Sequence, residues 1–203
     1  MIRVRNISSH ADLVRAQQGN ARLPQQNHVH IYTGDVATST TPVVLETLLG
    51  SCVSVCLYDP KLYAGGMNHI LLPGKRQESG SSRFGVFAME LLINELMKMG
   101  GDRRRFIAKA FGGANVMSGM NLSTVGEDNA QFVCNFLATE KIPLISQRLG
   151  GDKPVRLRFR TDTGMATVSS IDKSQLPKLI HAEESYRRVH SADCCYSGEI
   201  TLF

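Results

Sequence analysis

Apolar and polar positions follow two different periods along this chain, and the switches between them mark out the elements. Residues 155–161 (VRLRFRT) alternate strictly: Val155, Leu157 and Phe159 fall on one side and Arg156, Arg158 and Arg160 on the other, which predicts a half-buried strand. Asp162-Thr163-Gly164 then forms a short hairpin loop into MATVSSI. Residues 52–58 (CVSVCLY) are apolar and β-branched and end at the turn signal Asp59-Pro60. Gly65-Gly66 opens a second apolar run, MNHILL, closed by Pro73-Gly74, so two strands joined by a turn are expected. Residues 29–33, 106–111 and 143–147 read as further strands, and the Thr/Ser-rich stretch up to Thr41 as polar connection. The period changes to 3.6 over residues 83–99, where Phe84, Phe87, Ala88, Leu91, Leu92, Leu96 and Met99 share one helical face and Gly100-Gly101 supplies the stop. A second helix spans residues 127–139, with Ala130, Val133, Cys134 and Leu137 on its core face. Several strands with two helices between them predict a single α/β or α+β domain.

Composition changes this picture little. The chain has 203 residues, 42% hydrophobic and 20% charged, ordinary for a globular domain. Residues 1–27 lack a sustained period and read as a flexible extension, residues 28–180 as the domain, and 181–203 as a polar tail. No apolar run reaches the length of a membrane span, and the first residues, with Arg3, Arg5, His10 and Asp12, lack a signal-peptide core; a cytoplasmic protein without membrane insertion is expected. The net charge of +5 is modest, with no Lys/Arg block and no aromatic–basic interleaving, so nucleic acid is not an expected partner. The Arg156, Arg158, Arg160 row reads as a solvated sheet face rather than an anion site. Five cysteines form no CxxC pair, and His28 and His30 lack ligand-type neighbours, so neither a metal nor a disulfide framework is expected. Phe111-Gly112-Gly113-Ala114-Asn115 has no GK[ST] after it and reads as a strand-to-helix turn rather than a phosphate loop.

One constellation carries chemistry. In LGSCVSVCLYDP, Gly50-Ser51 places Cys52 at the start of a strand, where its thiol meets a sheet edge, while Cys56 lies mid-strand and reads as packing. A thiol of ordinary pKa needs a base, and a nearby imidazole can take its proton. If the strands on either side of Asp59-Pro60 pair antiparallel, their far ends bring Cys52 towards His69. Cysteine and histidine so placed are a candidate dyad, although either residue is more commonly core filler. A third group orienting the imidazole would come from Glu46 or Thr47.

LLGSCVSVCLYDP, GGMNHILLP, RFGVFAMELLINEL and KAFGGANVM, in this order, resemble the CheD chemoreceptor glutamine deamidases over about residues 29–170. The resemblance implies an α/β sandwich similar to that of toxin-type cysteine deamidases. It implies conversion of particular glutamines on the cytoplasmic helices of bacterial chemoreceptors to glutamate during chemotactic adaptation, without a cofactor. It places the nucleophile on Cys52 and the base on His69. The family's third residue is a threonine just before the GSC segment; this is Thr47, and a register one position different brings in Glu46. Backbone N–H groups near Ser51 and Cys52 would hold the oxyanion. Some family members bind a CheC-type phosphatase, which makes such a protein a further expected partner. A different cysteine hydrolase, or a non-enzymatic adaptor, are the competing readings.

Overall fold

The computed structural model describes residues 3–7, 27–72, 81–115 and 123–171. Among the described residues, ten strands form two mixed sheets, and two α-helices cover one of them. The six-stranded sheet contains β1 (Arg3–Asn6), β3 (Asp35–Ser39), β6 (Ala64–Asn68), β5 (Val53–Asp59), β7 (Ile107–Gly112) and β8 (Leu144–Leu149), in that spatial order. The four-stranded sheet is ordered β10 (Ala166–Ser170), β9 (Val155–Arg160), β4 (Val43–Leu49) and β2 (Asn27–His30). Helix α1 (Ser81–Lys98) lies against β3, β5 and β6, and α2 (Ser123–Thr139) against β5, β7 and β8.

Strand alternation divides the core in two. On β5, Val53, Val55 and Leu57 point to the helices and join Met89, Leu92, Ile93 and Leu96 of α1 and Val133 and Leu137 of α2. Cys56 and Tyr58 point the other way and meet Leu45 and Leu49 of β4 and Leu157 and Phe159 of β9 between the sheets. Both faces of the six-stranded sheet are thus covered, which explains why β5 is buried throughout and lacks the in–out alternation of β9. Gly65 and Gly66 lie inside β6 rather than opening it, with the Phe159 ring over one and Leu92 over the other.

Three strands depart from the sequence reading. The segment taken as polar connection contains β3, whose Thr38 and Ser39 are fully buried, and it is followed by β4, which pairs with both β2 and β9. Within the N-terminal extension, Arg3–Asn6 forms β1 and adds to β3 in parallel. The buried face of α1 is turned from the one expected: Met89, Ile93 and Glu95 are buried, whereas Phe84 and Phe87 are each 44% exposed. Cys134 is half-buried, its Sγ 3.9 Å from Gln147 Oε1, rather than a core thiol. The tail after residue 180, with Cys194-Cys195, lies outside the described residues.

Candidate active site

The strands β4, β6 and β7 end, and β5 begins, at one end of the sandwich, and the sequence-predicted residues gather there. β5 and β6 pair antiparallel with Cys56 opposite Met67, and the same register continues to a bridge between Val53 and Ile70. Ser54 therefore faces His69, and Cys52 and His69 lie two positions apart on the same side of the pair, the side turned towards the second sheet. The ladder opens between these points: Asn68 Oδ1, rather than its carbonyl, accepts from Val55 N–H, and Ser54 Oγ donates to the Asn68 carbonyl. Polar side chains thus replace one rung beside His69.

His69 is held from every direction and is 1% exposed. Its N–H donates to Asp35 O (3.1 Å) and its carbonyl accepts from Gly34 N–H (2.9 Å), both at the β3 entry. Its ring reaches across to the other sheet, where Thr47 Oγ1 of β4 lies 2.9 Å from Nδ1. Thr47 Oγ1 also lies 2.6 Å from Ile31 O, which can only accept. A hydroxyl has one proton, so it goes to Ile31 and the oxygen must accept from Nδ1–H. The neutral ring therefore carries its lone pair on Nε2. Thr33 Oγ1 is 3.3 Å from that nitrogen.

Glu46, the alternative to Thr47, points to the opposite face of β4. It is 7% exposed and lies beneath Arg156 and Arg158 of β9, salt-bridged to Arg158. It is neither a solvated charge nor near His69. The Arg156, Arg158, Arg160 row does face outward, with Arg160 paired to Asp162 at 2.7 Å.

Cys52 is half-buried at the mouth of β5. Its carbonyl accepts from Gly113 N–H (2.8 Å), and Ala114 N–H donates to Gly50 O (2.7 Å), so the FGGAN turn braces the loop carrying the thiol. Gly112 is at φ 107°, and a Cβ there would stand 2.2 Å from Cys52 O. Cys56, by contrast, is fully buried, and desolvation pushes its thiol far above the ordinary range against a smaller opposing pull from Lys109. The Ser51 carbonyl accepts from Asn129 Nδ2 on α2. Sequence reasoning missed Thr33 and Asn129. Neither stands in a local motif, because both come to the site through the pairing of distant elements. Among the described residues no group of three His, Cys, Asp or Glu side chains is placed to hold a metal, and no helix is long and apolar enough to cross a membrane.

A thiol, an imidazole and a hydroxyl fixing its tautomer, on an α/β sandwich, are the residue types that cysteine hydrolases and acyl-transfer enzymes use. A family model described as CheD chemotactic sensory transduction matches residues 71–170, just beyond Thr47, Cys52 and His69. A protein of Albidiferax ferrireducens named probable chemoreceptor glutamine deamidase CheD 1 is 40% identical over 88% of this chain and 76% of its own. One of the same name in Shewanella oneidensis is 39% identical over 88% and 89%, and a probable chemoreceptor glutamine deamidase CheD of Stenotrophomonas maltophilia is 43% identical over 78% and 80%. The chain belongs to the CheD family. Among solved structures, a Bacillus licheniformis hypothetical protein, YfiH, aligns over 56% of this chain and 49% of its own at 15% identity, with a TM-score of 0.35, a likeness too slight to build on.

Proposed function

We propose that this protein deamidates glutamines on the cytoplasmic helices of bacterial chemoreceptors, with Cys52 as nucleophile, His69 as base and Thr47 as the group that orients His69. The observation that carries the assignment of roles is the Thr47–His69 contact across the two sheets, on the face to which Cys52 also turns. The names of the CheD relatives supply the substrate class.

The chemistry balances without a cofactor. His69 Nε2 takes the Cys52 thiol proton, and the thiolate attacks the glutamine carboxamide carbon. Backbone N–H groups at Ser51 and Cys52 hold the oxyanion of the tetrahedral intermediate. Its collapse breaks the C–N bond; His69 returns the proton to the departing nitrogen, and ammonia leaves a thioester on Cys52. Water, deprotonated by His69, then hydrolyses the thioester to glutamate and restores the thiol. A CheC-type phosphatase fits the same reading as a regulator, and the cytoplasm as the compartment where the receptor helices are reached.

The test is peptide mass spectrometry of a purified chemoreceptor cytoplasmic fragment incubated with wild-type protein or Cys52→Ala. Amide-to-acid conversion at defined glutamines with wild type alone is expected. Conversion by Cys52→Ala removes the nucleophile assignment. A cleaved chain or an amine cross-link indicates a different cysteine enzyme, and an unchanged fragment in both samples favours an adaptor.

A further inference from the structure

Asn129 is fully buried on α2, 78 residues from Ser51 and 57 from Leu72, and it touches both segments that carry the site. Its Nδ2 donates to Ser51 O and its Oδ1 accepts from Leu72 N–H, each at 2.9 Å. A carbonyl only accepts and a backbone N–H only donates, so the amide can sit one way round. Ser51 immediately precedes Cys52, and Leu72 lies three residues after His69. α2 comes this close because residue 126, one turn before Asn129, is glycine: a Cβ there would stand 2.5 Å from Gly113 O.

We infer that Asn129 is a positioning residue that sets the Cys52 segment against the His69 segment. This rests on the roles proposed above for Cys52 and His69. Those segments pair through the single Val53–Ile70 bridge where the β5–β6 ladder has opened, so the backbone alone holds them loosely at the point where the chemistry needs a fixed separation. One side chain bonded to both sides supplies the missing tie. It also fixes the plane of the Ser51–Cys52 peptide. In a planar trans peptide the N–H points opposite to the C=O, so drawing the Ser51 carbonyl towards α2 aims the Cys52 N–H away from it.

Asn129→Asp is the discriminating variant. It keeps the shape and the acceptor for Leu72 N–H and, at pH values where the new carboxyl is ionised, replaces the donor to Ser51 O with a second acceptor, cutting the tie on the Cys52 side alone. Four quantities are read: kcat and KM for receptor-fragment deamidation, the melting temperature, and the pH profile of Cys52 alkylation by iodoacetamide, followed on the Cys52 peptide by mass spectrometry. The expected result is a loss in kcat of about tenfold to a hundredfold with KM little changed. The alkylation midpoint should also move up towards the ordinary thiol value of about 8.5. A merely structural Asn129 would lower the melting temperature and leave kcat and the alkylation profile of the folded protein as in wild type, and that result overturns the inference. His69→Ala separates the two levels. If wild-type Cys52 titrates as an ordinary thiol and ignores His69→Ala, the dyad itself fails and Asn129 has nothing to position. If the wild-type profile is low and His69-dependent but Asn129→Asp preserves it, only the inference about Asn129 fails. Should the buried carboxylate prevent folding, near-isosteric Asn129→Leu removes both ties without a charge, and the same readouts are compared. In the wild type, slow hydrogen exchange at the Leu72 amide is required, and a freely exchanging Leu72 also overturns the inference.

Discussion

His69 in its neutral form has one ring proton and two hydroxyl neighbours, and the whole candidate site turns on which nitrogen carries it. Ile31 O settles the matter indirectly by taking the Thr47 proton, which leaves Thr47 Oγ1 as an acceptor for Nδ1–H. Replacing Thr47 with isosteric valine removes that acceptor without opening a cavity; kcat for deamidation should fall at least about tenfold, and stability should fall by about 1–3 kcal/mol as Nδ1–H and Ile31 O lose this partner. Glu46→Gln should touch stability only. It weakens the link to Arg158 on the outer face, costs about 1 kcal/mol of stability in a denaturant titration, and leaves kcat at the wild-type value. The sequence could not separate these two neighbours, because a register uncertain by one position exchanges them. On a strand one position reverses the side chain, so β4 separates them completely. Cys52, Cys56 and His69 were legible because an apolar strand, a turn and a second run already imply a hairpin. Thr33 was not: Gly34, at φ 86°, marks a bend beside it, but nothing in the chain indicates that the bend comes to Nε2.

At the scale of elements, period and composition identified both helices and most strands, and failed where burial ran against polarity. β3 reads Asp-Val-Ala-Thr-Ser and is buried throughout; its Ser39 hydroxyl reaches the local carbonyl of Thr41 (2.9 Å) and that of Ile7 (3.3 Å), and only the second acceptor comes with the β1 segment. The misplaced face of α1 has a simpler cause. Ala88, Leu92 and Leu96 belong to both the expected and the observed stripe, and whether Phe84 or Met89 completes it depends on where the sheet lies. The FGGAN turn was read correctly as a connection, but its reach to Cys52 was not visible. That reach makes Gly112 a sensitive position. Gly112→Ala would force an L side chain into φ 107° and against Cys52 O, at a cost of about 2 kcal/mol or more. The expected variant melts earlier and, at temperatures where it remains folded, also deamidates more slowly, because relief of the clash moves the Cys52 carbonyl. Full activity in the folded variant would mean the turn yields elsewhere.

For the molecule as a whole, the far end of β5 is fastened by charge. Asp59 has no exposed surface and accepts from Arg105 Nη2 (2.6 Å) and Nε (3.1 Å) and from the N–H groups of Lys61, Leu62 and Asp102. Burial alone would raise its carboxyl; the Arg105 guanidinium and those N–H groups outweigh it and hold the group well below the usual carboxylate range. The sign follows from linkage. A carboxyl depressed in the folded state contributes stability above its unfolded pKa of about 3.9, and that contribution drains away as pH falls through the lower folded value. Arg105→Ala should lower stability at neutral pH, by less than for a fully buried pair because the arginine is partly exposed, and the loss should shrink below about pH 4. Chemical denaturation across pH measures both; an undiminished loss in acid would remove the pair as the cause. The arrangement at the other end has a different consequence. Thiol and imidazole hang from one sheet, and the hydroxyl that governs the imidazole hangs from the other. On the roles proposed for Cys52 and His69, the hairpin is therefore not a portable cassette. Grafted into a foreign scaffold, the LLGSCVSV–NHILLP pair would bring the proposed nucleophile and base without the hydroxyl that fixes the imidazole tautomer, so the smallest unit that recombination could transplant intact is the docked pair of sheets.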